Sequence, residues 1–385
     1  MSGETIVIVG AGPAGLATAR SYRESGGAAP VTIVGREPRP PYRRPPLTKE
    51  FLRGEIPAAE LPLERDGWYA EHEVELRLGC EVSAIDPRGG AVQIGDESLR
   101  AAAIVLATGS EPVRPKLPGI EHARVLSVRE LPDSERIAEH VREGSHALVL
   151  GSGFIGCEIA ASLACLGVHI TLIAQEDAPQ RERLGRAAAL RIGDWLRELG
   201  VELVTGAEVR AIEDGRAALL ADGRRLEGEW VLLGTGARPR AALAEEAGAA
   251  VKDGAVLVDA QMRAGERLLA VGDVAFACNA SAGRRLRVEH WGDALAHGET
   301  AGKTLAGRAS AWDDVPGFWS TIGEHTLKHA AWGDGHDSTE LVGHADGTFT
   351  VWYTRAGSLV GVLTSERDGD YERGRELIRR GASGP

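Results

Sequence analysis

Hydrophobic positions along the chain fall into short apolar runs that alternate with longer segments of helical spacing. The apolar runs predict strands at 5–9, 31–34, 103–107, 147–150, 169–174, 230–233, 255–258 and 268–271. Small and apolar residues at helical spacing predict helices at 14–25, 156–166 and 371–380. From about residue 317, aromatic residues alternate with polar ones, which predicts a small antiparallel sheet. The order of elements indicates an α/β fold followed by a smaller α+β domain.

Two glycine fingerprints each follow a predicted strand and open a predicted helix. The first is Gly10-Ala11-Gly12-Pro13-Ala14-Gly15, and the second is Gly151-Ser152-Gly153-Phe154-Ile155-Gly156. In G-x-G-x-x-G the first glycine makes a tight turn and the second lets the backbone approach a pyrophosphate. The third glycine lets the helix pack closely on the strand. One match is weak evidence, but two in the required context predict two bound dinucleotides, FAD and either NADH or NADPH.

A second repeat supports two copies of one nucleotide-binding architecture. An apolar strand followed by Thr-Gly occurs at Ala107-Thr108-Gly109 and again at Gly234-Thr235-Gly236. We therefore predict two Rossmann-like dinucleotide-binding domains. The FAD-binding domain is predicted at 1–115 and 245–316, the NAD(P)-binding domain at 116–244, and the C-terminal domain at 317–385.

Four charged residues are candidates for cofactor and redox chemistry. Glu37 is the carboxylate nearest to the position that should hold the FAD ribose, and a surface turn is the alternative interpretation. Asp273 follows a predicted strand and Gly272, where a carboxylate can accept a ribityl hydroxyl of the flavin. Lys49 follows stiffening prolines, and a cation beside the isoalloxazine would stabilise the anionic reduced flavin. Glu158 complements its helix dipole, faces the nicotinamide in a pair with Lys49, or does both.

The ribose end of the second fingerprint leaves three possibilities open. The predicted strand ends in Ala174, where an acidic residue would bind the ribose diol of NADH. Gln175 or Glu176 could take that role. Alternatively, Arg181 or Arg183 could approach the 2′-phosphate of NADPH, or binding of the nicotinamide dinucleotide could be weak.

Charge and cysteine usage exclude several classes of protein. With 44 Lys and Arg against 56 Asp and Glu, the net charge of −12 argues against a nucleic-acid partner. The sequence has no basic leader and no long uncharged span, so we predict a cytoplasmic protein without a membrane segment. The four cysteines form no C-x-x-C motif, which argues against a zinc ribbon or a local redox disulfide. His325 and His329 have helical i, i+4 spacing, but their surroundings are strand-like, so we predict no metal site.

Five strings that occur in one order resemble the FAD-dependent NAD(P)H:ferredoxin/rubredoxin reductase family. This family includes putidaredoxin reductase and the ferredoxin reductases of aromatic-ring dioxygenases. The strings are Arg44-Pro45-Pro46-Leu47-Thr48-Lys49-Glu50-Phe51-Leu52, Ala107-Thr108-Gly109-Ser110, Gly153-Phe154-Ile155-Gly156-Cys157-Glu158, Val271-Gly272-Asp273 and Arg287-Val288-Glu289-His290-Trp291. The resemblance covers nearly the whole chain, and the combined set is far more specific than either fingerprint alone.

The resemblance implies a glutathione-reductase-like FAD/NAD(P) fold and a specific role for several residues. Lys49 would contact the isoalloxazine, Glu158 the nicotinamide carboxamide and Asp273 the ribityl chain. Further positions that match family contacts to FAD or its cavity are Arg44, Val82, Arg129, Trp291 and Trp319. Core packing competes with that role for Trp319, and His290 is readable either as a cavity residue or as a structural histidine.

The implied activity is transfer of hydride from NAD(P)H to FAD, followed by single-electron transfer to a ferredoxin or rubredoxin. A partner of this kind is typically acidic, so an arginine cluster at 36–44 or 373–380 is expected to face it. Two other functions stay open, an NAD(P)H oxidase or FAD enzyme with an organic substrate, and a redox-responsive NAD(H)-binding flavoprotein. Monomers and homodimers are both compatible with the sequence.

Overall fold

The computed structural model describes residues 5–384 and divides the chain into two compact units. The first unit contains the residues up to 43, 61–111 and 238–318. The second contains 44–60, 112–237 and the residues from 319 onward. The proline-rich segment that carries Lys49 therefore belongs to the same unit as the second glycine fingerprint.

The main sheet of the first unit is centred on the strand Thr5–Val9. This strand pairs in parallel with Val31–Gly35 on one side and with the end of Glu97–Leu106 on the other. Leu268–Ala270 extends the sheet next to Glu97–Leu106. Successive residues of Thr5–Val9 and Val31–Gly35 are buried, so these strands lack the alternation of a sheet with one solvent-exposed face.

The strands of the first unit are Thr5–Val9, Val31–Gly35, Val74–Leu78, Val82–Asp86, Ala91–Ile94, Glu97–Leu106, Val251–Lys252, Ala255–Val258, Leu268–Ala270, Ala275–Asn279 and Arg284–Arg287. Its α-helices are Pro13–Glu24, Trp68–Glu71, Ala242–Glu246 and Trp291–Leu305. Helix Trp291–Leu305 packs on Pro13–Glu24, where Gly298 and Gly302 let the two backbones approach closely. The chain leaves this unit within Ser110–Pro112 and returns within Ala237–Pro239.

The second unit repeats the plan with a five-stranded parallel sheet. Its central strand His146–Leu150 leads into the helix Phe154–Cys165 and pairs with His169–Ile173 and Trp230–Leu233. The strands outside the C-terminal sheet are Val125–Ser127, His146–Leu150, His169–Ile173, Glu202–Val204, Val209–Glu213, Ala217–Leu220, Arg225–Glu227 and Trp230–Leu233. The α-helices of this part are Leu131–Ala138, Phe154–Cys165 and Arg181–Glu198.

The C-terminal part of the second unit is a five-stranded antiparallel sheet covered by the helix Asp368–Arg379. In spatial order its strands are Gly317–Ile322, His325–Ala331, Ser358–Ser365, Phe349–Arg355 and Ser338–Gly343. Buried side chains of this sheet, among them Ile322, Phe349 and Leu363, share one hydrophobic core with the helix Phe154–Cys165. Burial of each such side chain contributes about 1.5–3 kcal/mol, so the sheet is a fixed part of the unit.

These elements confirm the predicted fold class, with a mostly parallel mixed sheet, an all-parallel sheet and a final antiparallel one. The predicted strand 255–258 is present, but it lies in a separate four-stranded sheet with Ala275–Asn279 and not in the main parallel sheet. Among residues 5–384, no helix combines the length and the apolar character needed to cross a membrane.

Candidate dinucleotide and redox site

The first fingerprint forms a turn that only glycine fits. Gly10 has a φ of +122°, and a Cβ there would lie 2.1 Å from the carbonyl oxygen of Ala107. A Cβ on Gly12, by contrast, would meet nothing within 4 Å. The chain thus leaves free space beside Gly12 at the start of the helix Pro13–Glu24, where backbone N–H groups and the helix dipole favour an anion. This cradle fits the pyrophosphate of FAD.

Two carboxylates of the first unit are held by hydroxyl groups. The Tyr42 hydroxyl donates to Oε2 of Glu37 over 2.6 Å, and the Ser110 hydroxyl donates to Oδ2 of Asp273 over 2.6 Å. Asp273 is 8% exposed and lies in a single turn of 3-10 helix, Gly272–Val274. Both side chains are therefore oriented, and a carboxylate is the kind of group that accepts the hydroxyls of a ribose or a ribityl chain.

The other predicted residues of the first unit lie in several elements. Val82 is buried at the start of its strand, and the Thr108 hydroxyl donates to the carbonyl of Arg240 over 2.7 Å. His290 precedes the helix that Trp291 begins, and its ring lies 4.7 Å from the ring of Phe318. A role of His290 at the flavin cavity stays a prediction.

The second fingerprint repeats the steric pattern of the first. Gly151 has a φ of +99°, and a Cβ there would lie 2.4 Å from the carbonyl oxygen of Gly234. Gly234 precedes Thr235-Gly236, as Ala107 precedes Thr108-Gly109, so the two first glycines pack against corresponding positions. A Cβ on Gly153 would meet only ordinary contacts, the nearest at 3.5 Å. This cradle therefore also fits a pyrophosphate.

Near the second cradle, the acidic side chains that follow the strand His169–Ile173 bind other groups of the protein. Ala174 is buried and Gln175 is exposed. The Glu176 carboxylate accepts the backbone N–H of Glu182 over 2.9 Å, and Asp177 forms an ion pair with Arg181. The structure thus brings Gln175 to the surface at the end of the strand, while Glu176 is already hydrogen-bonded.

Gln180 reaches the second glycine loop from the start of the helix Arg181–Glu198. Its side-chain amide donates to the carbonyl of Ser152 over 2.9 Å, and its backbone adopts a left-handed conformation with φ +63°. Arg183, which follows in that helix, lies 5.9 Å from the ring of Phe154 at the opening of the cradle. Both residues contact the second fingerprint, and only Arg183 was named from the sequence.

A buried ion pair joins the two residues expected to perform redox chemistry. The Lys49 ammonium lies 2.9 Å from Oε2 of Glu158, and the two side chains are 6% and 4% exposed. The Thr48 hydroxyl donates to the same oxygen over 2.5 Å, and the Ser320 hydroxyl donates to Oε1 over 2.8 Å. Burial of the two charges is tolerated because each is paired and hydrogen-bonded.

The geometry leaves a defined binding capacity at this cluster. A carboxylate has about four acceptor positions, and three of those on Glu158 are taken by Thr48, Lys49 and Ser320. One position remains for a further N–H group, such as that of a carboxamide. The Lys49 ammonium has three N–H donors, directed to Glu158 and, at 3.4 Å, to the Thr48 hydroxyl, which leaves one for another acceptor.

The remaining predicted residues of the second unit lie in several elements. The Arg44 guanidinium donates to the backbone carbonyl of Arg129 over 2.7 Å. Trp319 is 40% exposed and Ile155 is 45% exposed. Gly236 has a φ of +96° in the turn that follows the strand Trp230–Leu233.

Sequence reasoning missed the hydroxyl groups that orient the carboxylates. Thr48 and Ser110 are part of the motif strings and Ser320 follows Trp319, but none of them was predicted as a site residue, and neither was Tyr42. A small hydroxyl residue next to a functional side chain carries no pattern of its own, so only the folded structure reveals its partner.

The histidines considered as metal ligands have aromatic partners. His325 stacks on Trp195 with ring centres 4.3 Å apart, and His329 meets the edge of Tyr353 at 5.7 Å. Within residues 5–384, no group of three or more His, Cys, Asp or Glu side chains is arranged to hold a metal ion.

All four cysteines are free thiols. Burial and the neighbouring Glu158 carboxylate raise the pKa of the Cys157 thiol, which disfavours a reactive thiolate. The site therefore has no dithiol through which electrons could pass.

Two pyrophosphate cradles and a buried lysine–carboxylate pair define a two-dinucleotide oxidoreductase. A pyridine nucleotide-disulphide oxidoreductase family model matches residues 4–298, and a reductase C-terminal model matches residues 317–385. The chain belongs to the pyridine nucleotide-disulphide oxidoreductase family and carries the C-terminal domain of its reductases.

Named relatives agree with this assignment. The chain is 30% identical to the ferredoxin reductase component of chlorobenzene dioxygenase from Cupriavidus sp. (strain PS12), over 98% of this chain and 93% of the relative. It is 30% identical to rubredoxin-NAD(+) reductase of Pseudomonas putida, over 84% of this chain and 85% of the relative. The fold matches putidaredoxin reductase in its covalent complex with putidaredoxin, with a TM-score of 0.93 at 28% identity, covering 99% of this chain and 94% of that one.

Proposed function

We propose that this protein is an FAD-dependent reductase that transfers reducing equivalents from NADH or NADPH to a ferredoxin-type iron–sulfur protein. The observation that carries the proposal is the presence of two sterically equivalent pyrophosphate cradles in one chain, at Gly10–Gly15 and Gly151–Gly156. When bound, FAD supplies the ability to accept a hydride and to release electrons one at a time.

The protein's own groups bind and orient the two dinucleotides. Glu37 and Asp273, each fixed by a hydroxyl donor, accept hydroxyls of the FAD ribose and ribityl chain. In the second unit, the remaining acceptor position of Glu158 binds the N–H of the nicotinamide carboxamide. This contact orients the ring for transfer, since a positioned substrate needs less reorganisation to react.

Lys49 supplies the charge that suits a reduced flavin. Its ammonium is held by Glu158 and Thr48 in a buried site, where a charge acts more strongly than in water. A third N–H donor is left for an acceptor atom of the isoalloxazine. We propose that this cation favours the anionic reduced form and so promotes reduction of the flavin.

Electrons leave through the flavin to an external carrier. The chain offers no dithiol beside the cofactor, and its relatives include ferredoxin and rubredoxin reductases. The carrier is a small acidic iron–sulfur protein that docks on an arginine-rich surface at 36–44 or 373–380, and oxygenases are the expected final consumers. We also propose a cytoplasmic location, which suits four free thiols.

The experiment that tests the electron acceptor mixes the reduced holoprotein, under anaerobic conditions, with oxidised ferredoxin or with rubredoxin. We expect rapid reoxidation of the flavin with matching reduction of the carrier, at a rate that falls as salt screens the docking charges. Reoxidation by air or by an organic substrate, with no transfer to any iron–sulfur protein, would instead identify an oxidase. A long-lived reduced complex with NAD(H) and no turnover would identify the redox-responsive binding protein.

A further inference from the structure

The two oxygens of the Glu158 carboxylate accept hydrogen bonds from two different segments of the second unit. Oε2 accepts from Thr48 and Lys49 over 2.5 and 2.9 Å, whereas Oε1 accepts from Ser320 over 2.8 Å. All of these side chains are buried, and Ser320 is 0% exposed. Ser320 is the partner that comes from the C-terminal sheet.

We propose that Ser320 is a positioning residue for the redox pair, which it serves by fixing the rotation of the Glu158 carboxylate. The inference rests on the proposed function, because it concerns the same site and the same bound dinucleotides. With Oε1 fixed by Ser320, Oε2 faces Lys49, and a single acceptor position stays available to the nicotinamide carboxamide.

The physical argument is that one ion-pair contact does not orient a carboxylate. A carboxylate bound only through Oε2 can still turn about its terminal torsion, which is broad for glutamate. A donor on the second oxygen removes that freedom, and hydrogen bonds to a charged acceptor are about twice as strong as neutral ones. The Ser320 hydroxyl therefore lowers the number of orientations that the pair samples before a substrate arrives.

The segments that carry Thr48 and Ser320 are themselves fixed by hydrogen bonds or by packing. Thr48 ends the 3-10 turn Pro45–Thr48. The Ser134 hydroxyl donates to the backbone carbonyl of Leu47 over 2.8 Å, and the Ser162 hydroxyl donates to the backbone carbonyl of Thr48 over 2.7 Å. Ser320 lies in the strand Gly317–Ile322, which is anchored because Ile322 is fully buried in the core of the unit. The C-terminal sheet thus places the Ser320 hydroxyl at a fixed position beside the ion pair.

The chain offers a matched control for loss of this hydroxyl. Thr364 lies in the neighbouring part of the same sheet, in the strand Ser358–Ser365, and it is also 0% exposed. Its hydroxyl makes no hydrogen bond within residues 5–384. Thr364→Val therefore removes a buried hydroxyl from the same sheet without touching Glu158.

The test compares Ser320→Ala with Thr364→Val in the FAD-loaded protein, each alone and combined with Glu158→Gln. We expect Ser320→Ala to slow the limiting rate of flavin reduction by saturating NADH or NADPH about tenfold, with Thr364→Val within about twofold of wild type. We also expect Ser320→Ala to shift the midpoint potential of the flavin, because the orientation of the Lys49–Glu158 pair changes. In the Glu158→Gln background both effects of Ser320→Ala should shrink to the level of Thr364→Val.

A readout that needs no reaction separates this proposal from the proposed function. In urea unfolding, the effects of Ser320→Ala and Glu158→Gln should be non-additive, whereas those of Thr364→Val and Glu158→Gln should add. Additive unfolding effects, or a reduction rate unchanged by Ser320→Ala, would overturn the role of Ser320. If wild-type flavin is not reduced by either nucleotide, the proposed function fails, while the unfolding cycle still decides the role of Ser320.

Discussion

The two glycine cradles are alike where they meet a pyrophosphate and different where they meet a ribose. In each, the first glycine packs against a backbone carbonyl that precedes a Thr-Gly turn, at Ala107 and at Gly234. At the ribose end, the first unit presents Glu37 oriented by Tyr42, whereas the second presents buried Ala174 followed by exposed Gln175. The backbone of both cradles is fixed by the same steric demand on the first glycine. The side chains at the ribose end, on which the choice of dinucleotide depends, differ between the two units.

The two units also bury polar groups in different ways. The first contains His297, fully buried in the helix Trp291–Leu305 with its ring edge-to-face on Trp312 at 4.4 Å. Burial lowers the pKa of His297 to about 4, although the nearby Asp273 charge opposes that change. The second unit instead buries the Lys49–Glu158 ion pair. At neutral pH His297 is therefore buried without a charge, whereas Lys49 and Glu158 are buried as a charged pair.

Gly12→Ala should weaken the retention of FAD while the fold survives. The new Cβ meets no protein atom within 4 Å, but it enters the space beside the cradle that the pyrophosphate needs. We expect FAD affinity to fall about a hundredfold, or about 2.7 kcal/mol. Flavin stoichiometry after purification and the thermal unfolding midpoint measure the two parts of this prediction. A yellow, fully loaded Gly12→Ala protein would disprove the assignment of the first cradle.

Gly153→Ala is the matched change in the second cradle. Its Cβ would make only ordinary contacts within the protein, the nearest at 3.5 Å, so the fold and FAD should both be retained. We expect the dissociation constant for NAD(P)H to rise by a similar factor, about a hundredfold. Titration of the flavoprotein with NAD+ and NADP+ checks this, and loss of FAD in this variant would mean that the two cradles are not separate.

The buried histidine predicts an acid-sensitive stability. The pKa of His297 is lowered when folded, so the unfolded chain binds its proton more readily, and stability falls as pH drops from about 6.5 towards about 4. Between pH 7 and pH 5 the loss from this group amounts to about 2 kcal/mol. His297→Gln should flatten the pH dependence of the unfolding free energy over this window. The exposed His122→Gln serves as the control, and equal slopes in wild type and His297→Gln would contradict the prediction.

Gln175→Glu should make the two ribose ends more alike. It adds a carboxylate at the exposed position after the second cradle's strand, where it would accept a ribose diol and repel a 2′-phosphate. We expect kcat/KM for NADPH to fall by about threefold relative to NADH, since an exposed charge contributes about 0.2–1 kcal/mol. If the ratio for the two nucleotides stays constant, the ribose is bound elsewhere, for example near Arg183.

The fold and the two cradles were predictable because they depend on local sequence. A strand, a glycine turn and a helix are contiguous, so the steric demands on Gly10 and Gly151 are visible in the pattern itself. The pairing of Lys49 with Glu158 was suggested by the motifs and is present in the structure. Ser320 was not predictable, because its hydroxyl meets a carboxylate 162 residues away in sequence, and only packing of the C-terminal sheet brings them together.

The most direct test of the account is anaerobic mixing of the FAD-loaded protein with NADH or NADPH while the flavin absorbance is followed. The account predicts that the purified protein is yellow and that at least one of the two nucleotides bleaches the flavin rapidly. A protein that binds no FAD, or whose flavin keeps its oxidised absorbance with both nucleotides, would contradict it.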